Sequence, residues 1–327
     1  MKKIREDIKN GTFSHLYLLY GDEAYLRIQY RDMLIKAISG DDTMNLTIYK
    51  GKDISVPALI DQAETMPFFA ERRLIVIEDS GLFKAEGQEL AAYLKDIPET
   101  TYFVIEEASV DKRGSLYKTC QSVGYVSEMK TPDEMELKRW IARLLSADNK
   151  KMTERDIEYF IDTVGTDMVL LKNEVSKLSN FTGDREVVTR ADVDEISTHL
   201  MDNDIFKMIE YVADRRVREA LNMYYELIAQ KEAPMKILSL ITRQFNLLLQ
   251  ARELMLKNTP ANTIAGKIGV PPFFVKKYMA QASKFDMETL KKALNMCVTA
   301  DEDIKLGRVK DELSVELLII GIDKELN

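Results

Sequence analysis

The first 130 residues alternate between short apolar runs and helical patterns, and this alternation constrains the fold more than any other feature. Gly21 ends the first run, and Asp22 is the predicted N-cap of a helix that continues to Ala37. The apolar runs are predicted strands, at residues 16–20, 45–49, 74–77, 102–105 and 125–127. Further helical patterns lie near residues 57–65, 86–94 and 116–122. Apolar strands spaced by helices are typical of a parallel sheet that is covered on both faces.

The strand pattern stops at Thr131-Pro132-Asp133, and every later pattern is helical. The helical stretches are residues 134–145, 154–164, 168–180, 189–196, 206–213, 217–230, 235–255, 272–282, 287–306 and 313–324, with a short connecting helix near 263–267. The pattern therefore predicts three domains: an α/β domain at residues 1–131, a small all-α domain at 132–202 that ends in a linker at 199–203, and an all-α bundle at 203–327.

Charge limits the kinds of partner that the chain can bind. The net charge is −8 at pH 7, which argues against a protein whose whole surface binds nucleic acid. The net charge does not exclude local basic patches that bind nucleic acid. Four lysines on predicted helices are candidate contacts for DNA phosphates, namely Lys276, Lys277, Lys291 and Lys292. Helix solubility explains these lysines equally well, because no aromatic side chains are interleaved with them.

The hydrophobic pattern gives no reason to expect a membrane partner. Apolar residues make up 46% of the chain, which is enough for a substantial core, yet no run reaches eighteen apolar residues. The first seven residues, Met1–Asp7, carry more charge than a signal peptide tolerates. We therefore expect a cytoplasmic protein.

A search for catalytic and metal-binding motifs finds none. Cys120 and Cys297 lack the spacing of metal ligands, and both are expected to be core thiols. The two histidines, His15 and His199, belong to no nucleophile–base arrangement. Trp140 is predicted to be a core residue rather than a ligand contact. Paired carboxylates are attributed to solvated helix faces, so we predict no intrinsic catalysis, no metal and no cofactor.

The first strand and turn stand where a phosphate-binding loop would be expected, but that motif is missing. The turn after Leu19 reads Tyr-Gly-Asp-Glu-Ala, without the glycines and lysine that hold a triphosphate. Two carboxylates, Asp22 and Glu23, would repel the phosphates. Glu78 and Asp79 resemble the acidic pair of a magnesium site at a strand end, but such pairs are common in α/β loops.

A loop around Pro67 concentrates large apolar side chains just before the third strand. Met66, Phe68 and Phe69 flank the proline, which removes a backbone donor and should end the preceding helix. Adjacent side chains in an extended loop point in different directions, so at least one ring is expected to face water. The residues alone leave two interpretations open: a docking wedge for a partner, or a staple that holds the loop on the domain.

These patterns together resemble a known family, the delta subunit of bacterial DNA polymerase III, which belongs to the clamp loader. The resemblance spans nearly the whole chain. It rests on residues 16–23 (LYLLYGDE), on 66–74 (MPFFAERRL), on Leu171, 173–175, 177–179, Val188-Thr189 and Asp192-Val193, and on Asp301 with 304–307 (IKLG). Each segment alone is a weak signal, but four in order over 300 residues are specific.

The resemblance implies an AAA+-type α/β domain, a helical lid and a collar bundle that assembles with other loader subunits. It also implies no ATP hydrolysis by this chain, since the motor subunit (tau/gamma) carries the Walker motifs. The implied partners are the sliding clamp (beta), the motor subunit, the delta-prime subunit and primed DNA inside the assembled loader. Residues Met66, Pro67, Phe68 and Phe69 match the family's clamp-binding wedge, and Phe68 departs from the leucine that many relatives carry.

Two other functions remain as alternatives at this stage. One is a nucleotide-binding AAA+ switch protein that lacks a P-loop, and the other is a helical scaffold unrelated to replication. Nucleotide binding by the isolated chain separates the nucleotide switch from a clamp-loader subunit. Capture of a ring-shaped clamp separates both of these from the helical scaffold.

The missing phosphate loop generates the first prediction. Titration of the purified chain with ATP and magnesium, followed by calorimetry, should show no binding at physiological nucleotide concentrations, because Asp22 and Glu23 stand where phosphate donors are needed. Micromolar binding, or ATP hydrolysis without partner subunits, would contradict the non-enzymatic interpretation.

Overall fold

Five strands form one parallel sheet in the computed structural model, which describes residues 1–84, 87–197 and 201–325. The strands are β1 (Leu16–Tyr20), β2 (Leu46–Lys50), β3 (Arg73–Glu78), β4 (Thr101–Glu107) and β5 (Tyr125–Glu128). Their order in the sheet is β2-β3-β4-β1-β5, and every pair is parallel. Leu18 lies opposite Ile105 on one side and Val126 on the other. The predicted parallel sheet is confirmed, with strand ends that differ from the prediction by one or two residues.

Helices cover both faces of this sheet. They are α1 (Lys2–Asn10), α2 (Ala24–Ser39), α3 (Val56–Glu64), α4 (Gln88–Tyr93) and α5 (Ser115–Val123). On one face, Leu18, Ile75 and Phe103 pack in a buried cluster with Leu59 of α3 and Leu90 of α4. Helix α2 packs against β1, β3 and β4. Side chains in a strand alternate between faces, so the central strands β1, β3 and β4 are buried on both sides and contain near-continuous apolar runs, whereas the edge strands β2 and β5 are partly exposed.

Helix α1 was not predicted, because its nine residues contain only two large apolar side chains. Ile4 is fully buried, and the Tyr17 hydroxyl of β1 donates a hydrogen bond of 2.7 Å to Asp7. The helix therefore packs through a narrow apolar stripe, this hydrogen bond and cation–π contacts such as that of Arg5 over the Tyr30 ring. The apolar signal of this helix is two isoleucines one turn apart, Ile4 and Ile8, in a stretch that is otherwise charged or polar.

The start of α2 differs from the prediction by one residue. Glu23, not Asp22, is the N-cap: it has an extended backbone, and its carboxylate accepts a hydrogen bond of 3.2 Å from the Tyr25 amide. The turn before it requires Gly21, which has φ 129° and where an added Cβ would collide with the Met129 carbonyl.

The rest of the chain is helical. The helices are α6 (Glu134–Ala147), α7 (Glu154–Val164), α8 (Met168–Phe181), α9 (Arg190–Ile196), α10 (Met201–Ala213), α11 (Val217–Ala229), α12 (Pro234–Leu256), α13 (Ala261–Ile268), α14 (Pro272–Ser283), α15 (Met287–Lys305) and α16 (Asp311–Glu325). Helix α6 begins with a capping box, in which Asp133 and Glu136 each accept a hydrogen bond from the other's backbone amide. The predicted linker at 199–203 is wrong at 201–203, where α10 has already begun; His199 lies outside the described residues.

Backbone contacts divide the chain into two compact units, Met1–Thr131 and Pro132–Asn327. In the second unit Trp140 is buried, as predicted. Residues of α10 to α16 share one large buried cluster, in which the Phe245 and Phe285 rings meet edge to face at 5.9 Å. The predicted subdivision of this unit at residue 202 stays a prediction.

A buried ionic network lies where β3 and β4 end. The Arg27 Nε lies 2.6 Å from the Glu106 carboxylate, and both side chains are less than 10% exposed. Arg31 bridges Glu78 at 2.8 Å and Glu106 at 3.4 Å, and the Arg27 guanidinium also donates to the Gly21 carbonyl. Both arginines come from α2, so this network fastens the helix to the carboxyl edge of the sheet.

The network generates a stability prediction. Removal of one partner from a buried ion pair leaves an uncompensated charge and commonly costs about 3–5 kcal/mol, so Arg27→Met should lower the free energy of unfolding in urea by that amount. The exposed pair Lys112–Glu128, 3.0 Å apart, is the control: Lys112→Met should change the free energy by less than about 1 kcal/mol. If both variants lost the same free energy of unfolding, the buried network would contribute no more to stability than an exposed ion pair.

Candidate functional site

The loop between α3 and β3, residues 65–72, is here called the aromatic loop. It follows the C-terminus of α3 at Glu64 and leads directly into Arg73, the first residue of β3. Thr65 has an extended backbone (φ −73°, ψ 125°), which stops the helix before Pro67 as predicted. Because every strand is parallel, the loop lies at the amino edge of the sheet, opposite the edge that holds the ionic network.

The aromatic loop exposes its large apolar side chains. Phe69 is 95% exposed, Met66 is 79% exposed and Phe68 is 56% exposed. The two phenylalanine rings meet edge to face with centroids 4.6 Å apart. Neither ring is packed into the core, which disfavours the staple interpretation. Exposed aromatic rings this close together form an apolar surface that a partner can cover.

Phe69 also has an unusual backbone conformation. Its φ of 49° lies in the left-handed region, which L-residues with bulky side chains seldom adopt. Residues held in such conformations cost of order 1–3 kcal/mol and persist only where the surroundings fix them. The loop is therefore held in a specific shape rather than left to relax.

Asn45 fixes the middle of the loop. This residue directly precedes β2 and is only 2% exposed. Its side-chain oxygen accepts a hydrogen bond of 2.7 Å from the Phe68 amide, and its Nδ2 donates to the Phe68 carbonyl at 2.9 Å. The same Nδ2 donates to Asp42 at 2.7 Å, and this hydrogen bond lowers the pKa of the Asp42 carboxyl. Asn45 thus binds both backbone groups of Phe68.

Arg73 fixes the start of the loop. Its side chain is buried, with the residue 4% exposed. Its Nε donates to the Thr65 carbonyl at 2.7 Å and its Nη2 donates to the Met66 carbonyl at 3.1 Å. A guanidinium suits this task because its donors form a planar fork.

Sequence reasoning did not assign a role to Asn45, Arg73 or Met44. Met44, which precedes Asn45, is also apolar and 69% exposed. Arginine as the first residue of an otherwise apolar strand was the available signal, since a buried charge needs partners. Nothing local marked Asn45, because its partner lies 23 residues away.

The carboxyl edge, where nucleotides bind in many α/β folds, is occupied by the protein's own side chains. Glu78 is paired with Arg31 and also lies 3.3 Å from Lys50. Glu107 accepts hydrogen bonds from the Ser80 hydroxyl and amide, while burial raises its pKa. Among the described residues, no group of three or more acidic, histidine or cysteine side chains is placed to hold a metal ion.

The four candidate DNA-contact lysines do not form one free basic patch. Lys277 is paired with Asp162, and Lys292 lies 3.1 Å from Glu325. Lys276 and Lys291 are exposed on α14 and α15. Their assignment to DNA stays a prediction, and two of the four charges are already balanced by carboxylates.

The cysteines and His15, for which the sequence predicts no catalytic role, lie in structural environments. Both cysteine thiols are buried, and burial raises the pKa of Cys120 to about 12 and that of Cys297 to about 11, so neither is a reactive thiolate at neutral pH. The His15 ring stacks on Tyr102 at 4.6 Å, and its Nδ1 lies 3.0 Å from the Thr101 carbonyl. No helix within the described residues is long and apolar enough to cross a membrane.

Comparison with known proteins places the chain in a family. The family model for the DNA polymerase III delta subunit matches residues 17–130, and the model for the C-terminal domain of that subunit matches residues 202–322. DNA polymerase III subunit delta of Bacillus subtilis (strain 168) is 27% identical over 332 residues, which cover 98% of this chain and 96% of that protein. The probable delta subunit of Aquifex aeolicus (strain VF5) is 20% identical, over 84% of this chain and 82% of that protein.

A solved structure agrees with these sequence matches. The DNA clamp loader delta protein of Bacillus subtilis superposes with a TM-score of 0.79 at 27% identity, and the match covers 99% of each chain. One family model lies in each unit, and the structural match extends along nearly the whole chain. The chain belongs to the DNA polymerase III delta-subunit family of clamp-loader proteins.

Proposed function

We propose that this chain binds the sliding clamp through Met66, Pro67, Phe68 and Phe69 and opens the ring so that it can be loaded onto primed DNA. The single observation that carries the proposal is the exposure of two adjacent phenylalanine rings, 56% and 95%, on a loop whose backbone is hydrogen-bonded to buried side chains. An apolar surface that is both exposed and rigid suits insertion into a pocket of a partner.

The chain acts in this proposal without catalysis of its own. The ionic network of Arg27, Arg31, Glu78 and Glu106 occupies the sheet edge at which a nucleotide would bind, which argues against the nucleotide-switch alternative. ATP then acts through the motor subunit (tau/gamma), and this chain contributes clamp binding to the assembled complex.

Assembly with the motor and delta-prime subunits is assigned to residues 203–327. This region offers exposed apolar side chains on several helices, including Leu256 at 59%, Leu306 at 62% and Leu317 at 52%. Exposed apolar residues on a helical bundle are available to pack against neighbouring bundles.

The wedge generates a binding prediction. Burial of a phenylalanine side chain contributes roughly 1.5–3 kcal/mol, and truncation of a central aromatic anchor commonly costs at least ~2 kcal/mol. Phe69→Ala should therefore weaken binding of the purified clamp by more than about thirtyfold, with Phe68→Ala close behind. Phe181→Ala is the matched control, because Phe181 is also exposed (42%) but lies on α8 in the other unit; it should leave clamp affinity within about threefold. Normal clamp binding by a folded Phe68→Ala/Phe69→Ala chain would overturn the proposal.

The assembly assignment generates a second prediction. A fragment of residues 1–202 should still bind the clamp, because it retains the whole sheet and the aromatic loop, but should not enter the loader. Size-exclusion chromatography with the motor and delta-prime subunits measures this. Clamp binding by the same fragment serves as the control for folding, and stoichiometric co-elution with the motor subunits would contradict the assignment.

A further inference from the structure

Two buried side chains hold the backbone of the aromatic loop at four points. Asn45 binds the amide and the carbonyl of Phe68, and Arg73 binds the carbonyls of Thr65 and Met66. These hydrogen bonds leave the side chains of Met66 and Phe68 free to face solvent. We call Asn45 and Arg73 the loop frame.

The loop frame is itself anchored in the sheet. The Asn45 carbonyl accepts a hydrogen bond of 2.9 Å from the Leu74 amide, and the Arg73 amide donates to the Thr100 carbonyl at 2.8 Å. Both frame side chains are at least 96% buried, so solvent hardly competes for their hydrogen bonds. The frame therefore transfers the rigidity of β2, β3 and β4 to a loop outside the sheet.

Phe69 shows what the frame achieves. No described hydrogen bond holds its backbone, yet it keeps a left-handed φ of 49° and is 95% exposed. Free loops relax out of such conformations, since ordinary residues disfavour them. Fixing the neighbouring Phe68 at both its amide and its carbonyl limits the paths by which Phe69 can relax.

We propose that Asn45 and Arg73 are positioning residues, which hold the wedge in its clamp-binding shape before the clamp arrives. This inference rests on the proposed function. A protein whose binding-competent conformation is only partly populated binds with its intrinsic affinity multiplied by that populated fraction. The loop frame keeps the fraction of chains in the binding-competent conformation near one, without itself contacting the clamp.

This role differs in kinetics from a direct contact. Loss of the frame lowers the fraction of chains that can bind, so it slows association, while the complex, once formed, keeps both rings in place. Loss of a ring removes contacts in the complex, so it speeds dissociation. Asn45→Ala and Arg73→Met should each weaken clamp affinity by about tenfold, mostly through a slower association rate.

The test uses the full-length chain and the purified sliding clamp, with binding kinetics measured on a sensor surface. Hydrogen exchange of the Phe68 amide is measured on the same samples, because that amide donates directly to Asn45. Ser80→Ala is the control for general destabilisation: Ser80 is 3% exposed and lies at the opposite edge of the sheet. Arg73→Lys keeps the charge but not the fork, so its affinity should lie between those of the wild-type chain and Arg73→Met.

The expected result is faster Phe68 exchange and slower association for Asn45→Ala, with both values near those of the wild type for Ser80→Ala. In a Phe68→Ala/Phe69→Ala background, Asn45→Ala should have little further effect on affinity, because the rings it positions are gone. Two results for Asn45→Ala would overturn the positioning role. One is faster hydrogen exchange of the Phe68 amide with unchanged clamp binding, and the other is unchanged exchange of that amide. If Phe68→Ala and Phe69→Ala bind the clamp normally, the proposed clamp-binding function itself is wrong. If they bind weakly but Asn45→Ala binds normally, only the positioning role is wrong.

Discussion

The common direction of the five strands determines where everything else in the first unit can lie. A parallel sheet has two different edges, because all strand carboxyl ends meet at one edge and all amino ends at the other. In this chain the carboxyl edge holds Arg27, Arg31, Glu78 and Glu106 in a buried network, and the amino edge holds the aromatic loop. Ligand binding in α/β folds concentrates at the carboxyl edge. The delta-subunit chain fills that edge with its own side chains and presents its exposed apolar surface at the other.

The aromatic loop has exposed side chains on an ordered backbone, a combination that is uncommon in surface loops. Exposed loops tend to be mobile, and a mobile loop pays an ordering entropy when it binds. Here the rings are exposed while the backbone between Thr65 and Phe68 is hydrogen-bonded to side chains that are almost fully buried. The buried amide of Asn45 and the buried guanidinium of Arg73 are costly groups to place in a core unless every donor has a partner. Apart from the Asp42 carboxylate, which also accepts from Asn45, their side-chain partners are loop backbone atoms, so the stability of the unit and the shape of the loop depend on the same hydrogen bonds.

The sequence predicted the parallel sheet and most helices because buried strands and amphipathic helices leave periodic apolar patterns. It failed for α1, whose contact with the sheet rests on Ile4 and the Asp7–Tyr17 hydrogen bond. It also placed the N-cap of α2 at Asp22 instead of Glu23, since turn geometry decides which side chain reaches the first amides. Of the candidate site, the sequence identified the exposed apolar side chains of the aromatic loop, because Pro67 and two adjacent phenylalanines are a local signal; their role as partner contacts stays a prediction. The loop frame was not predictable: Asn45 reaches Phe68 across 23 residues, and only the pairing of β2 with β3 brings them together.

A fixed wedge has a consequence for ring opening that a flexible one lacks. A ligand shifts a ring from closed to open only by the difference between its affinities for the two states. To move an equilibrium from 1:99 to 99:1, that difference must reach about 5.5 kcal/mol. A flexible loop adapts to both states of a pocket and so discriminates poorly between them. A loop held at four backbone points presents its rings in one arrangement, and a pocket that accepts this arrangement only after distortion is stabilised in its distorted state. In the proposed function, the rigidity that Asn45 and Arg73 give to the aromatic loop is therefore the property by which binding energy at Phe68 and Phe69 would become strain in the clamp.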